Sequence, residues 1–471
     1  MAPEKYKRLF ENTGLMFIGS FGSKILSFVM LPFYTMWLSV EDYGTSDMIN
    51  VCATVLLAFI SLSIGDAIFV LPTQKSKKEQ TSYFTSSLLF TVCCIIALTF
   101  LYATISLMFA NKSGVFFNNI LYICLITATT LYTTIFQQFC KSIDKIKIFA
   151  VAGIIQTISV AGLGFLLIPT YKLDGYIWCT LAANIITIVF IFFSASLYRY
   201  ISLPSFSRDR LKEMFKYSVP LIPNSVTWLI VSYLNRPIMD TSLGLYALGI
   251  YSLANRFPTL INTVYNTFSN SWQISILEQY GKDGFYSFYN KVSLIAFMTM
   301  SLFVSLFALI TKPLVLMFLD SNYFESINYI PILCLSCLFI SLGSMVGAIF
   351  SAVRQSKYYF YSSVWSAVTS ILLNYILIKN FGIYGACWAC VISYLIGGFS
   401  RVIYAAKYNT FTYTLQIIVI SILTTCVVCV MSYMGSYLLG IPLTILLIIY
   451  ILSVAKRINL ISVGLNKLKK K

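Results

Sequence analysis

The sequence predicts an all-α integral membrane protein, and three observations carry that reading. Hydrophobic residues make up 58% of the 471-residue chain and charged residues only 10%, a balance foreign to soluble domains. The apolar runs last about 20 to 28 residues, which at 1.5 Å per residue cross the roughly 30 Å hydrocarbon core as helices, whereas barrel strands would alternate over about 10. Lysine and arginine gather in every second connection.

Read in order, the hydropathy gives about fourteen spans. The first, 10–36, follows Lys5, Lys7 and Arg8. It is too long for a signal-peptide core and has no convincing small-x-small cleavage site, so it is expected to be retained. The second, 47–71, ends before Lys75, Lys77 and Lys78, and the third, 84–110, runs out to Lys112. The fourth, 117–140, and fifth, 148–169, enclose Lys141, Lys145 and Lys147, while Lys172 separates the fifth from the sixth, 175–198. A longer connection with Arg199, Arg208, Arg210, Lys212 and Lys216 leads to the seventh, 217–238, and Arg236 is read as lying outside before the eighth, 246–275. Lys282 and Lys291 precede or open the ninth, 290–311; Lys312 leads to the tenth, 328–352; Arg354 and Lys357 lead to the eleventh, 358–378. Lys379 precedes the twelfth, 384–405, and Arg401 and Lys407 close it. The thirteenth, 411–433, and fourteenth, 437–455, run into a tail whose six basic residues extend from Lys456 to Lys471. With the N-terminus inside, 26 of the 33 basic residues fall on the inner side, as the positive-inside rule requires, and both termini are cytoplasmic.

The same dispersion explains the net charge of +17 without nucleic acid, because no single domain collects the basic residues. The tail "NKLKKK" is either a solvated end or a contact with anionic lipid. Three cysteine pairs have CxxC spacing: Cys334 with Cys337, Cys387 with Cys390, and Cys426 with Cys429. Inside helices this spacing puts two small residues on one face, and the chain has no histidine, so the cysteines are read as structural and no metal or cofactor is expected. Connections of about 20 residues, largely basic, leave no room for the paired carboxylates or acidic metal motif of a membrane glycosyltransferase or polymerase, and no phosphate-binding glycine loop is present. An enzyme is not expected.

The chain repeats itself faintly. At an offset of 205, Phe10, Ser20, Ser27, Pro32, Leu38, Gly44, Asn50 and Thr54 fall on Phe215, Ser225, Ser232, Pro237, Leu243, Gly249, Asn255 and Thr259. At 210, Lys147, Leu163, Leu167, Ile168, Gly175 and Trp178 fall on Lys357, Leu373, Leu377, Ile378, Gly385 and Trp388. Six helices per copy is an even number, so the copies would be parallel repeats around an axis along the membrane normal. The expected organisation is two pseudo-symmetric six-helix lobes, 1–205 and 206–407, with an appended two-helix pair and basic cytoplasmic tail over 408–471.

The stretches "NTGLMFIGSFGSKILSFVMLPFYTMWLSVEDYGTSDM", "YSVPLIPNSVTWLIVSYLNRPIM" and "LGLYALGIYSLANRFPTLI" resemble bacterial polysaccharide flippases, the O-antigen and capsule translocases of the multidrug, oligosaccharidyl-lipid and polysaccharide exporter superfamily. The resemblance implies translocation of undecaprenyl-pyrophosphate-linked oligosaccharide from the inner to the outer leaflet of the bacterial inner membrane by alternating access, in lipopolysaccharide or capsule assembly, beside other polysaccharide assembly proteins. An acidic residue commonly precedes the arginine at the end of the seventh helix in this family; here it is Asn235 before Arg236, which puts a local ion pair in doubt.

Within that frame, Lys24 and Arg256 are cations at mid-membrane depth in different lobes. Either they face a cavity between the lobes and pair with pyrophosphate or acidic sugars, or Asp47 or Asp66 neutralises them, or they snorkel to an interface. Asn255, Asn262, Asn266, Asn270 and Gln273 keep helical spacing and are expected to hydrogen-bond sugar hydroxyls, with interhelical bonding as the rival. Asp66, in "SIGDAIF", is either a coupling site for H⁺ or Na⁺ or a helix-end carboxylate in water. Pro32, Pro220, Pro223, Pro237 and Pro258 lie in the same helices as the cations, where they form hinges or are simply tolerated. The alternative function is a cation-coupled multidrug exporter of the same superfamily, whose organic-cation cargo Lys24 and Arg256 would repel.

Overall fold

The computed structural model describes residues 22, 24–108, 114–353, 355–408, 412–434 and 437–457, and every regular element among them is helical. The first part of the expected first span therefore lies outside the described residues. Contacts divide the chain into two compact units, Met1–Leu229 and Ile230–Lys471.

The first unit holds α1 (Leu31–Trp37), α2 (Val40–Ser61), α3 (Ile64–Val70), α4 (Lys77–Met108), α5 (Ile120–Ser142), α6 (Ile146–Ser194) and α7 (Arg208–Ser218). Helix α2 starts at Ser39, whose side chain caps the Asp42 N–H at 3.0 Å, with Glu41 and Asp42 favourably placed in the positive first turn. It stops at Leu62 and Ser63, both at positive φ (47° and 55°), so the expected span 47–71 is broken in two. The unit's core joins Ile64 and Ile68 of α3, Tyr83 and Phe84 of α4, Ile135 and Phe139 of α5 and Met214 of α7, with the Phe84 and Phe139 rings stacked at 4.3 Å.

The second unit takes in the end of α8 (Ile222–Tyr233), then α9 (Asn235–Leu243), α10 (Leu245–Ala254), α11 (Arg256–Gln279), α12 (Phe285–Phe318), α13 (Ile330–Ala352), α14 (Ser356–Ala405), α15 (Thr412–Tyr433) and α16 (Tyr437–Arg457). Helix α13 is its centre: 83% of its apolar window is buried, the largest share of any long apolar helix described. The last pair packs on α12, where the Ser432 hydroxyl donates to the Ala308 carbonyl.

The expected seventh and eighth spans are each interrupted, at Leu234 and Asn255. Proline supplies the reason. Pro32, Pro223, Pro237 and Pro258 each stand in the first turn of a new helix (α1, α8, α9 and α11), where a missing N–H costs no hydrogen bond. Among the described residues seven helices are long and apolar enough to cross a membrane, and two of these fold back on themselves. In α6 the reversal is at Lys172 (φ 49°) and in α14 at Gly382 (φ 59°), 210 positions apart. The arms are tied by the Gln156 amide donating to Asn184 Oδ1 at 2.8 Å and by the Ser366 hydroxyl donating to the Ser393 carbonyl at 2.9 Å. Gly175 and Gly385 each face the carbonyl of the residue eight positions earlier, Leu167 and Leu377, too closely for any side chain. The break after Leu38 likewise recurs after Leu243, 205 positions on, where Gly244 (φ 84°) stands in the place of Ser39. The chain is an all-α, multi-pass membrane protein.

Candidate functional site

Helix α11 is 24 residues long and is not among the seven apolar helices, because one side of it is polar. Its other side is fixed against α13. The Tyr265 hydroxyl donates to the Ser341 carbonyl at 3.0 Å, Ser269 and Ser344 share a hydrogen bond of 2.8 Å, and the Trp272 indole N–H reaches the Met345 carbonyl at 3.4 Å. Phe257, Ile261, Tyr265, Trp272 and Ile276 are each at most 3% exposed. These packed side chains and the interhelical hydrogen bonds beside them determine the rotation of α11.

That rotation sets the polar face. At about 100° per residue, Asn262, Asn266, Asn270 and Gln273 fall within an arc of about 80°, and Asn255 at the N-terminal end continues it. Asn266, Asn270 and Gln273 are exposed, and among the described residues no hydrogen-bond partner is found for them. The hydroxyls beside them are satisfied locally: Thr259, Thr263, Thr267, Ser271 and Ser275 each donate to the carbonyl four residues earlier, at 2.7 to 3.3 Å. Asn262 differs, since its Oδ1 is buried without a hydrogen bond among the described residues, an arrangement that costs about 1–3 kcal/mol unless another group reaches it. Arg256, half-buried, opens α11 at the edge of the same polar arc. One helix thus brings together six of the residues singled out by sequence.

Lys24 and Asp66 belong to the first unit. Lys24 is exposed, in a helical stretch over 24–29. Asp66 is exposed in the first turn of α3, directly after the left-handed pair Leu62 and Ser63, and its N–H donates to the Ser63 carbonyl at 3.0 Å. The Lys141 ammonium lies 4.1 Å from the Phe149 ring and 5.8 Å from the ring of Phe69 on α3, and its field reaches the Asp66 carboxyl.

Sequence reasoning misplaced Arg236. It is not an outer-loop cation but a buried one, 3% exposed on α9. Its guanidinium donates to Asn235 Oδ1 at 2.9 Å and to the Ser232 carbonyl, and lies 5.3 Å from the Tyr233 and Tyr251 rings. The doubtful ion pair is thus replaced, at Asn235, by an amide. The signal available in advance was local only, Tyr233 just before an Asn-Arg-Pro helix start; Tyr251 is brought to Arg236 by the fold. Arg401 was also missed as a packed group: its Nε donates to Ser362 Oγ at 3.0 Å and its guanidinium lies over the Tyr359 ring at 4.1 Å, in a space left by Gly343 and Gly347.

The sequence profile of the family described as polysaccharide biosynthesis protein matches residues 9–272, more than half of the chain. The chain belongs to that family. An uncharacterized membrane protein of Methanocaldococcus jannaschii is 25% identical over 193 residues, which cover 40% of this chain and 45% of that protein. Among solved structures, the lipid II flippase MurJ in an inward closed conformation is similar with a TM-score of 0.68 at 18% identity, covering 91% of this chain and 97% of the other. An inward-facing multidrug resistance MATE transporter of the MOP superfamily gives 0.65 at 15% identity, covering 84% and 95%. At these identities the likeness is one of fold, and it bears out the all-α membrane fold expected from the sequence.

Proposed function

We propose that this chain translocates lipid-linked oligosaccharide, carried on undecaprenyl pyrophosphate, from the inner to the outer leaflet of the bacterial inner membrane, by alternating access coupled to an H⁺ or Na⁺ gradient. The cargo is a repeat unit of a surface polysaccharide such as O-antigen, and both termini are cytoplasmic. The observation that carries this reading is the exposed amide face of α11. Three side chains, Asn266, Asn270 and Gln273, hold donors and acceptors that no described residue pairs, in a chain of membrane helices. An amide in hydrocarbon without a partner costs several kcal/mol, so this face must meet water or a polar cargo, and paired amide donors and acceptors match sugar hydroxyls.

In this reading Asn255, Asn262, Asn266, Asn270 and Gln273 bind the sugars, Arg256 and Lys24 meet the pyrophosphate or acidic sugars, and Asp66 carries the coupling ion. Two lobes, 1–205 and 206–407, alternate access, and 408–471 forms an appended pair facing lipid. Membership of a polysaccharide biosynthesis family supports the choice of cargo over drugs.

The test is the sidedness of lipid-linked oligosaccharide in cells lacking the protein, probed with an impermeant reagent on spheroplasts and inverted vesicles. Cytoplasmic accumulation, relieved by the intact protein, is the expected result; unchanged sidedness with raised drug sensitivity would establish the multidrug exporter instead. Lys24→Gln and Arg256→Gln are expected to lower surface polysaccharide at normal protein level.

A further inference from the structure

Helix α7 (Arg208–Ser218) is amphipathic in an unusual setting. Met214 and Ser218 are fully buried, Leu211 and Phe215 half-buried, at the i, i+3, i+4, i+7 spacing of a face laid on α3 and α4. The helix and the chain leading to it are stitched to three residues of α4, Tyr83, Thr85 and Ser86. Thr85 Oγ1 donates to the Tyr200 carbonyl at 3.2 Å and accepts from the Ser202 N–H at 3.2 Å, and Ser86 Oγ exchanges hydrogen bonds with Ser207 at 3.3 and 3.2 Å. The Tyr83 hydroxyl donates to Glu213 Oε2 at 2.7 Å. Arg210 turns inward onto Glu79 at 3.0 Å and Glu213 at 3.1 Å and stands 5.0 Å from the Tyr83 ring.

This inward cluster takes up Glu79 and Glu213, leaving Asp209, exposed in the first turn, as the one carboxylate of the helix outside the cluster, and a set of three cations outside. Arg208, Lys212 and Lys216 stand at i, i+4 and i+8, all exposed, and among the described residues none has a carboxylate within ion-pair distance. Apolar side chains bracket the row: Leu203 is 70% exposed and Phe206 45% on one side, Val219 46% and Leu221 37% on the other. Helix α4 is long and apolar enough to cross a membrane and opens with Lys77, Lys78 and Glu79, and the assembly is tied to its first turns at Glu79, Tyr83, Thr85 and Ser86; the charged end of such a helix belongs at the water boundary.

We propose that residues 203–221 form an interfacial docking surface for anionic phospholipid, with Leu203, Phe206, Val219 and Leu221 entering the acyl boundary and Arg208, Lys212 and Lys216 binding headgroup phosphates. A basic row alone would fit any polyanion, but a basic row flanked by exposed large apolar residues at membrane level fits a lipid surface. The docking is independent of which cargo the protein carries.

Native mass spectrometry of the full chain, titrated with phosphatidylglycerol or phosphatidylcholine, tests it. Each cation near an anionic surface strengthens binding by about fivefold, so Arg208→Gln/Lys212→Gln/Lys216→Gln is expected to reduce phosphatidylglycerol retention by roughly a hundredfold, with phosphatidylcholine unchanged. Lys212→Arg/Lys216→Arg should retain it, and Leu203→Ser/Phe206→Ser should weaken both lipids. Undiminished phosphatidylglycerol retention in the triple variant overturns the proposal. Displacement by inorganic phosphate, together with no effect of Leu203→Ser/Phe206→Ser, would also overturn it, by showing a phosphate site rather than a lipid surface.

Discussion

Gly385 offers the sharpest test of the packing. It lies three residues past the reversal at Gly382, and a Cβ built on it would sit 1.9 Å from the Leu377 carbonyl oxygen, 2.3 Å from its carbon and 2.8 Å from the Ile378 nitrogen. Real Cβ atoms essentially never approach closer than 3.0 Å, so Gly385→Ala must part the two arms by about 1 Å. Overpacking of this kind typically costs about 1–3 kcal/mol, and the obstacle here is backbone, which cannot swing aside as a side chain would, so the upper part of that range is expected. Gly175→Ala meets the same obstacle at 2.4 Å and should cost less. Gly153→Ala, on an arm of the first hairpin with nothing within 4 Å, is the control, and there alanine favours the helix by up to about 1 kcal/mol. Heating the purified full-length proteins in detergent and following the folded fraction by size exclusion should rank them Gly385→Ala below Gly175→Ala, with Gly153→Ala at or above the parent. If Gly385→Ala melts with Gly153→Ala, the close approach is not a constraint and the account of the hairpin fails.

Asn266→Leu and Asn270→Leu remove exposed amides that make no hydrogen bond among the described residues, so protein level should hold while surface polysaccharide falls; a lost hydrogen bond of about 1 kcal/mol corresponds to roughly fivefold each, and unchanged output would remove α11 from the cargo path. Asp66→Asn is expected to abolish the dependence of translocation on an imposed H⁺ or Na⁺ gradient in vesicles; persistence of that dependence would end its coupling role. The Tyr83 hydroxyl first, and the Arg210 guanidinium after it, hold the Glu213 carboxyl below the usual carboxylate range. A depressed folded value means that its contribution to pinning α7 is complete above the ordinary carboxylate pKa and is lost as pH falls through the lower folded value. The clamp is therefore shut at neutral pH and opens only in acid, whereas Glu213→Gln should loosen it at pH 7, read as faster hydrogen exchange of the α7 amides; equal exchange in the variant would refute the clamp.

The helical class and the multi-pass character were legible because composition and run length are integrated over hundreds of residues. The 210-residue offset was legible too, since Leu167 with Gly175 and Leu377 with Gly385 are the close contacts of two hairpins of the same shape. The turn residues themselves were not, because one hairpin reverses at glycine and the other at a lysine held at positive φ. Interruptions at Leu62 and Ser63 carry no glycine or proline to announce them. Those at Leu234 and Asn255 precede Pro237 and Pro258 and could have been read from them. Arg236 was misassigned because hydropathy counts charges and cannot see an adjacent amide and two tyrosine rings that make burial tolerable. The amide face of α11 was found by spacing alone, but that Asn262 turns inward while Asn266 and Asn270 face out depends on the packing of Tyr265 and Trp272.

The stitching of residues 200–213 to α4 has a mechanical consequence. A chain bound at Tyr200, Ser202, Ser207, Arg210 and Glu213 cannot serve as a loose leash. Past this clamp the chain first leaves regular α-helix at Val219, where a single turn containing Pro220 breaks the regular hydrogen bonding before Pro223 stands in the first turn of the next helix. The slack left in this connection is confined to the one turn over 219–221.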